Sequence, residues 1–283
     1  AGLAAGARLR TPALRGRLLC AVVAVDAVVL FAAPQLSLPR HVVVDTKPAA
    51  FLSRHLGEGR FFTLGPLQPN YGSYFGLASA NINDLPIPKL YSNYIHARLD
   101  QFVNPIVFVG NTGGGRSPYV PTTEQELVRN LDGYRALGVN YVLTPANQPL
   151  TQSPSSFQLA ARTPTTRIYH LTGAAPYFTA PGCRVQSGDR QDVTLTCPHA
   201  TALTRRETDL AGWTATIDNH QTPIREADGL FQATTIPAGI HRVTFSYAPP
   251  DILWAALAFV AGILALGATT ISTTRARKPP LRR

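Results

Sequence analysis

No methionine occurs anywhere in the 283 residues, not even at position 1. A natural chain begins with Met unless it has been processed, so the sequence reads as a fragment with further sequence before Ala1. Charge is scarce as well, at 15% of residues against 45% hydrophobic. That balance excludes intrinsic disorder. Acids are the scarcer sign, 16 against 26 basic residues, for a net charge of +10. The surplus sits at the ends. Arg8, Arg10, Arg15 and Arg17 precede any acid, and Arg275, Arg277, Lys278, Arg282 and Arg283 close the chain without one. What lies between is close to neutral. A nucleic-acid binder needs a basic stripe on its folded body, so nucleic acid is excluded as a partner.

Catalytic patterns are equally sparse. No Ser-His-Asp set, HExxH motif or Cys-His pair is readable. The seven histidines (His41, His55, His96, His170, His199, His220 and His241) are scattered. Gly110-Asn111-Thr112-Gly113-Gly114-Gly115-Arg116-Ser117 follows a strand and mimics a phosphate loop. Arg116 stands where that pattern wants Lys, and Pro118 and Pro121 stop the helix whose N-terminus would face phosphate. It reads as a flexible loop. No cofactor, no metal and no catalytic residue is expected in this chain.

Long apolar runs are present at both ends. Leu18 to Ala33 is apolar except for Asp26, with Leu14 and Leu36 able to extend it, and Ile252 to Ile271 runs without a charge. About 20 apolar residues suffice to cross a bilayer. Trp254 suits an interface, and Ala258 with Gly262 is a small-xxx-small pair. Arg and Lys outside both runs place both termini in the cytoplasm and the middle outside. A signal peptide is the alternative for the first run, and Asp26 within it is a poor fit to that alternative. A lipoprotein anchor does not fit, because Cys20 begins the run. Asp26 itself reads as an intramembrane polar residue. It is either a proton or substrate contact or a hydrogen bond to another helix, and both place this helix in a larger bundle.

The expected fold class is a membrane-anchored α+β protein. Two transmembrane helices flank an extracytoplasmic α/β subdomain followed by a small all-β sandwich. The boundaries are a cytoplasmic basic segment at 1–17, a transmembrane helix at 18–36, the α/β subdomain at 37–173 and the sandwich at 174–249. A second transmembrane helix at 250–272 and a basic tail at 273–283 complete it. In the α/β part, Phe51 to Leu56 reads as a helix, Arg60 to Leu64 as a strand, Lys89 to Asp100 as a helix and Ile106 to Val109 as a buried strand. Thr123 and Glu126 suggest a capping box for a helix running to Leu137, which Gly138 ends. Val139 to Leu143 then completes a βαβ-like unit. Phe157 to Ala161 and Arg167 to Leu171 are further strands. Beyond Ala175 the strands are Cys183–Ser187, Val193–Cys197, Trp213–Ile217, Leu230–Ile236 and Arg242–Tyr247, the spacing of a sandwich.

Of three cysteines, Cys183 and Cys197 stand at the open ends of one expected hairpin. A disulfide suits an oxidising compartment; two reduced buried thiols are the alternative. Tyr71, Tyr74, Phe75, Tyr91 and Tyr94 cluster with Asn70, Asn81, Asn83 and Asp84. Aromatic faces stack on sugar rings, while amides and carboxylates bind hydroxyls. Tyr71, Tyr74, Tyr91, Asn70 and Asp84 are therefore candidate substrate-binding residues. The alternative is that the tyrosines pack the loop onto the domain.

Several blocks occur in an order that resembles the C-terminal part of YfhO-like bacterial membrane proteins, of the GT-C glycosyltransferase type. They are Arg60-Phe61-Phe62 through Pro69-Asn70 and Tyr74-Phe75-Gly76, then Leu85-Pro86-Ile87 leading to Tyr91 and Tyr94, then Leu137 to Thr144. Thr166-Arg167-Ile168-Tyr169 follows, with His170 where the family has an acid. Gly212-Trp213-Thr214-Ala215-Thr216-Ile217-Asp218 is similar to a family signature, which makes Trp213 and Asp218 its structural motif residues; Asn219 stands where the family has Gly. Pro237-Ala238-Gly239-Ile240-His241-Arg242-Val243 and Tyr247-Ala248-Pro249 resemble the family's ending. The resemblance implies a multi-pass protein of the bacterial inner membrane, with many spans before Ala1 and the catalytic carboxylate among them. Its implied partners are that missing transmembrane bundle, the lipid bilayer, a polyprenyl-phosphate sugar and an envelope glycan acceptor. This part would aid acceptor binding or structure. The rival reading is a non-catalytic envelope protein for glycan binding or assembly.

Overall fold

The computed structural model describes residues 16, 20–30, 45–67, 71–83, 86–110, 119–151 and 155–275, with only the backbone of residues 71 and 266–275. Two units separate by their internal contacts, residues 1–45 and 46–283. In the first, residues 20–30 form a helix whose described side chains, Asp26 among them, are exposed.

The second unit opens with helix α1 (Lys47–His55), started by Pro48 in its first turn. Pro is tolerated there because its missing N–H would have no helical partner. Strand β1 (Arg60–Thr63) is buried along its whole length. A short helix α2 (Tyr71–Tyr74), strand β2 (Ile82–Asn83) and helix α3 (Lys89–Tyr94), continued as a π turn over Ile95–Leu99, lead to strand β3 (Val107–Phe108). Helices α4 (Thr123–Arg129) and α5 (Leu131–Ala136) precede strands β4 (Val139–Pro145), β5 (Phe157–Arg162) and β6 (Thr166–Leu171). The sheet order is β1-β4-β6-β5, with β1 and β4 parallel and the other pairs antiparallel.

This sheet is apolar on both faces because helices cover both. Phe61, Leu143 and Ile168 pack with Leu52 of α1 and Leu56 just after it on one face. Phe62, Val142 and Tyr169 pack with Ile95, Leu99, Leu127 and Tyr134 on the other. Alternation along β1 sends neighbouring phenylalanines to opposite layers.

The remaining strands build two further sheets. One is β13 (Arg225–Ala227), β14 (Phe231–Ile236), β10 (Thr201–Thr208) and β7 (Phe178–Thr179), in that order. The other is β12 (His220–Thr222), β11 (Trp213–Ile217), β15 (Gly239–Tyr247), β9 (Asp192–Cys197) and β8 (Arg184–Ser187). Phe178, Val193, Leu195, Leu203, Ala215, Ile236, Val243 and Phe245 form the core they share. Leu230 and Phe231 belong instead to the helix-covered core of the first sheet. The two halves therefore share apolar interior.

Chain-terminal helix α6 (Ile252–Arg275) exposes Ile252, Leu253, Trp254, Leu257, Phe259 and Val260. Among the described residues, no helix is long and apolar enough to cross a membrane. This overturns the expected fold class, in which two transmembrane helices flank the domain. The described chain is mostly β sheet with a few helices.

Smaller expectations are also corrected. The capping box is one residue earlier: Gln125 N donates to Thr122 Oγ1, and Thr122 N donates to Gln125 Oε1. The helix expected to run to Leu137 breaks at Asn130, whose side-chain amide donates to Leu99 O and Glu126 Oε2. Ile106–Val109 is not a buried strand of a βαβ unit. Ile106 and Val107 are exposed, and β3 pairs antiparallel with β2. The parallel partner of β4 is β1, so the whole of α2 to α5 is the crossover.

Candidate functional site

The tyrosine-rich stretch lies along the free edge of β1. Asn81 is buried and works as a substitute strand residue: Thr63 N donates to its Oδ1 at 2.7 Å, and its Nδ2 donates to Thr63 O at 3.1 Å. Phe61 N donates to Ala78 O, and Ala80 N to Phe61 O. Gly110 closes the same edge at φ +64°. A Cβ there would run into Thr63 O, so no other residue fits without moving the strand.

This edge pairing decides where the tyrosines go. Tyr91 is buried, and its hydroxyl donates to Ala80 O. Tyr94 is buried too, and its hydroxyl donates to Gly133 O at 2.9 Å. Desolvation pushes both phenols up, Tyr94 to about 12. Both hold the loop to the domain. Tyr74 is the opposite case, 84% exposed, with its ring edge-on to Phe75. Tyr71 begins α2. Asn70 and Asp84, and the glycine-rich stretch from Asn111 to Ser117, lie outside the described residues.

At the joint of the two halves lies a cluster that the sequence patterns did not single out. Arg205, Arg206 and Glu207 are consecutive in β10. Arg205 is 1% exposed. Its guanidinium stacks 4.1 Å from the centre of the Trp213 ring and 4.6 Å from that of Phe245. Its Nε donates to Arg190 O at 3.0 Å and its Nη1 to Gln232 Oε1 at 2.8 Å. Arg206, on the alternate face, donates to Ala136 O, Pro176 O and Thr179 Oγ1. Arg60 donates to Leu137 O at 2.9 Å and Arg206 O at 2.6 Å. Arg190 donates to Glu58 O and Gly59 O, with its guanidinium 4.8 Å from the Tyr177 ring centre.

Glu207 is the carboxylate at the centre. It accepts from Tyr177 Oη at 2.9 Å and lies 3.8 Å from Arg60 and 3.7 Å from Arg190. Burial works against its charge, but Arg60, the Tyr177 hydroxyl, Arg205 and Arg190 outweigh burial and hold its pKa below the ordinary value. Tyr177 is pushed up by burial and by the Glu207 charge. Burial lowers the pKa of Arg190, Arg205 and Arg206; a guanidinium stays charged in a protein. The signal in the sequence was an Arg-Arg-Glu run within an otherwise Thr- and Leu-bearing stretch. A charge run of that kind is usually a solvated face, and here it is folded inward.

The signature residues of the second half serve local structure. Trp213 is the plate on which Arg205 stacks, and it also packs on Tyr247. Asp218 turns the chain with φ +48°, and its carboxylate accepts from Arg242 N and contacts His241 Nδ1 at 2.7 Å. His241 Nε2 faces Ala238 O at 3.2 Å. Both ring nitrogens thus face acceptors, which the imidazolium alone satisfies with two donors. The hydrogen bonds to Asp218 and Ala238 raise the His241 pKa. The hydrogen bonds from His241 and Arg242 N lower that of Asp218. The sign of the linkage follows. A raised His pKa stabilises fully below the unfolded value near 6.5, and that contribution fades as pH rises through the folded value. The Asp218 contribution is present above the unfolded value near 3.9 and fades as pH falls through the lower folded value. NMR titration should show His241 titrating above the ordinary histidine value, and His241→Ala should flatten the alkaline decline in stability at low salt. Salt should shrink the effect, because the Asp218 carboxylate is about half exposed.

Cys183 and Cys197 are joined in a disulfide, with Cα atoms 4.4 Å apart. The bond closes the open end of the β8–β9 hairpin, while Arg190 anchors its turn to Glu58 and Gly59. Among the described residues no group of three or more metal-ligating side chains converges. No family model, curated protein or solved structure matches the chain.

Proposed function

We propose that residues 46–250 form a recognition and assembly domain working on the oxidising side of a bacterial cell membrane. Its partner would be an envelope glycan or lipid, handled by a larger glycosyltransferase of the YfhO-like type. The single observation that carries the location is the Cys183–Cys197 disulfide. Such bonds persist in oxidising compartments and are rare in the cytosol. The role in recognition rests on how the polar groups are used. Arg60, Arg205, Arg206, Glu207, Tyr91 and Tyr94 are committed to joints inside the domain, whereas Tyr74 and part of Arg190 are left outside.

The finer assignment, to a glycosyltransferase, draws on the order of the resembling blocks. Several of them fall on the joints of the fold: Trp213 under Arg205, Asp218 on His241, and Leu137 on Arg60. The rival, a non-catalytic envelope protein, uses the same surface for assembly.

Thiol labelling in intact cells tests the location. Cys183 and Cys197 should resist alkylation until a reductant is added. Alkylation of both without reductant would place the domain in a reducing compartment and remove the proposal's support.

A further inference from the structure

Beside Arg190 a groove of about 360 Å³ opens between α1 and the Phe75–Ala78 segment. That volume lies within the range of small-ligand sites. Phe75 and Leu77 supply apolar wall over the buried Leu52 and Leu56, Ser53 stands on the rim, and Arg190 supplies the one cation of the lining. The Arg190 side chain keeps 31% of its surface exposed. Behind it lie Arg60, Arg205 and Arg206, with Glu207 as the carboxylate that meets Arg60 and Arg190. The cluster therefore carries a surplus of positive charge, and a low-dielectric wall focuses such a field outward. Two features of the chain hold the groove open. Gly72 lets α2 approach closely, since a Cβ there would meet Leu77 O at 2.6 Å. The bonds from Arg190 to Glu58 O and Gly59 O fix the guanidinium at the groove.

We propose that this groove binds an amphiphilic anion, a phosphate or carboxylate head on Arg190 with a short apolar tail along Phe75 and Leu77. Glu58 O and Gly59 O take up only Nη2 of the guanidinium, so its partly exposed remainder can meet an anionic head, and the tail covers the half-buried Phe75 and Leu77. The head can come from a lipid-linked phosphate or from a free organic acid. The proposal rests on the recognition role given above and names the ligand class for it.

The full chain would be titrated by NMR with octyl phosphate, octanoate, octanol and inorganic phosphate, all below micelle concentrations. Octyl phosphate or octanoate should shift the resonances of Ser53, Gly57 and Gly76, and whichever head binds tighter identifies the source. Octanol and inorganic phosphate should bind at least tenfold more weakly. Arg190→Gln should weaken the anion at least tenfold. Because Arg190 also braces the fold, Ser53→Trp provides the second variant: Ser53 is exposed, and the indole should fill the groove while leaving every Arg190 bond intact. Shifts that survive Ser53→Trp, equal binding of all four probes, or no binding would each overturn the proposal. None of these outcomes bears on the thiol-labelling result, so the location stands or falls separately.

Discussion

Glu207→Gln is expected to lower the stability of the domain by about 3 kcal/mol at neutral pH, because breaking a buried pair leaves its partner charges uncompensated. Arg60 and Arg190 both meet this carboxylate, and the Tyr177 hydroxyl donates to it. The side chain keeps 25% of its surface exposed, which sets the expectation at the low end of the range for such breaks. Urea unfolding of both proteins would measure the effect. The pH profile adds a second signature. Glu207 has a lowered pKa, so its contribution is present above the unfolded value near 4.3 and is lost as pH falls through the lower folded value. The parent should therefore lose stability on acidification more steeply than the variant, and the two curves should converge at low pH. A Glu207→Gln protein as stable as the parent at pH 7 would show that the arginines are held by their carbonyl partners alone.

Removing the disulfide by Cys183→Ala with Cys197→Ala is expected to cost a comparable amount. The cysteines are 14 residues apart in sequence, and closing a loop of about 15 residues restrains the unfolded chain by roughly 3 kcal/mol. Calorimetry of the parent with and without reductant should reproduce the double variant's loss in Tm. The loss should be cooperative across the whole domain. β9 pairs with β15, and Leu195 and Val193 lie in the same core as Phe178 and Phe245. A reduced protein with an unchanged Tm would mean that the hairpin is restrained by its pairing alone.

Five strands of the second half, β8, β9, β11, β14 and β15, are legible because alternation and turn residues mark them. Trp213–Ile217 is a strand over the residues expected, and Asp218 and Asn219 follow it with positive φ. The hairpin between Cys183 and Cys197 was legible for the same reason. β10 was missed because Arg205-Arg206-Glu207 interrupts its apolar pattern. Those charges are buried through long-range partners such as Trp213 and Phe245, which no local window contains. β1 was legible as a strand, but its partner was not. Parallel pairing leaves no turn between the partners, and the short β3 lay nearer in sequence. The tyrosines could be listed as a cluster, yet only the edge pairing through Asn81 separates buried Tyr91 and Tyr94 from exposed Tyr74.

The parallel pairing of β1 with β4 has a consequence for biogenesis. Arg60 bonds Leu137 O, 77 residues further along the chain. In a polypeptide emerging from its N-terminus, β1 is released with its apolar side chains well before the strand that shelters them. Non-local closure of this kind slows folding and leaves strand edges open to other chains. The β8–β9, β11–β12 and β13–β14 pairs of the second half need far shorter closures, though they emerge last. β1 thus waits for β4 to emerge, and Phe61 and Phe62 are the surface that a holding chaperone would meet meanwhile.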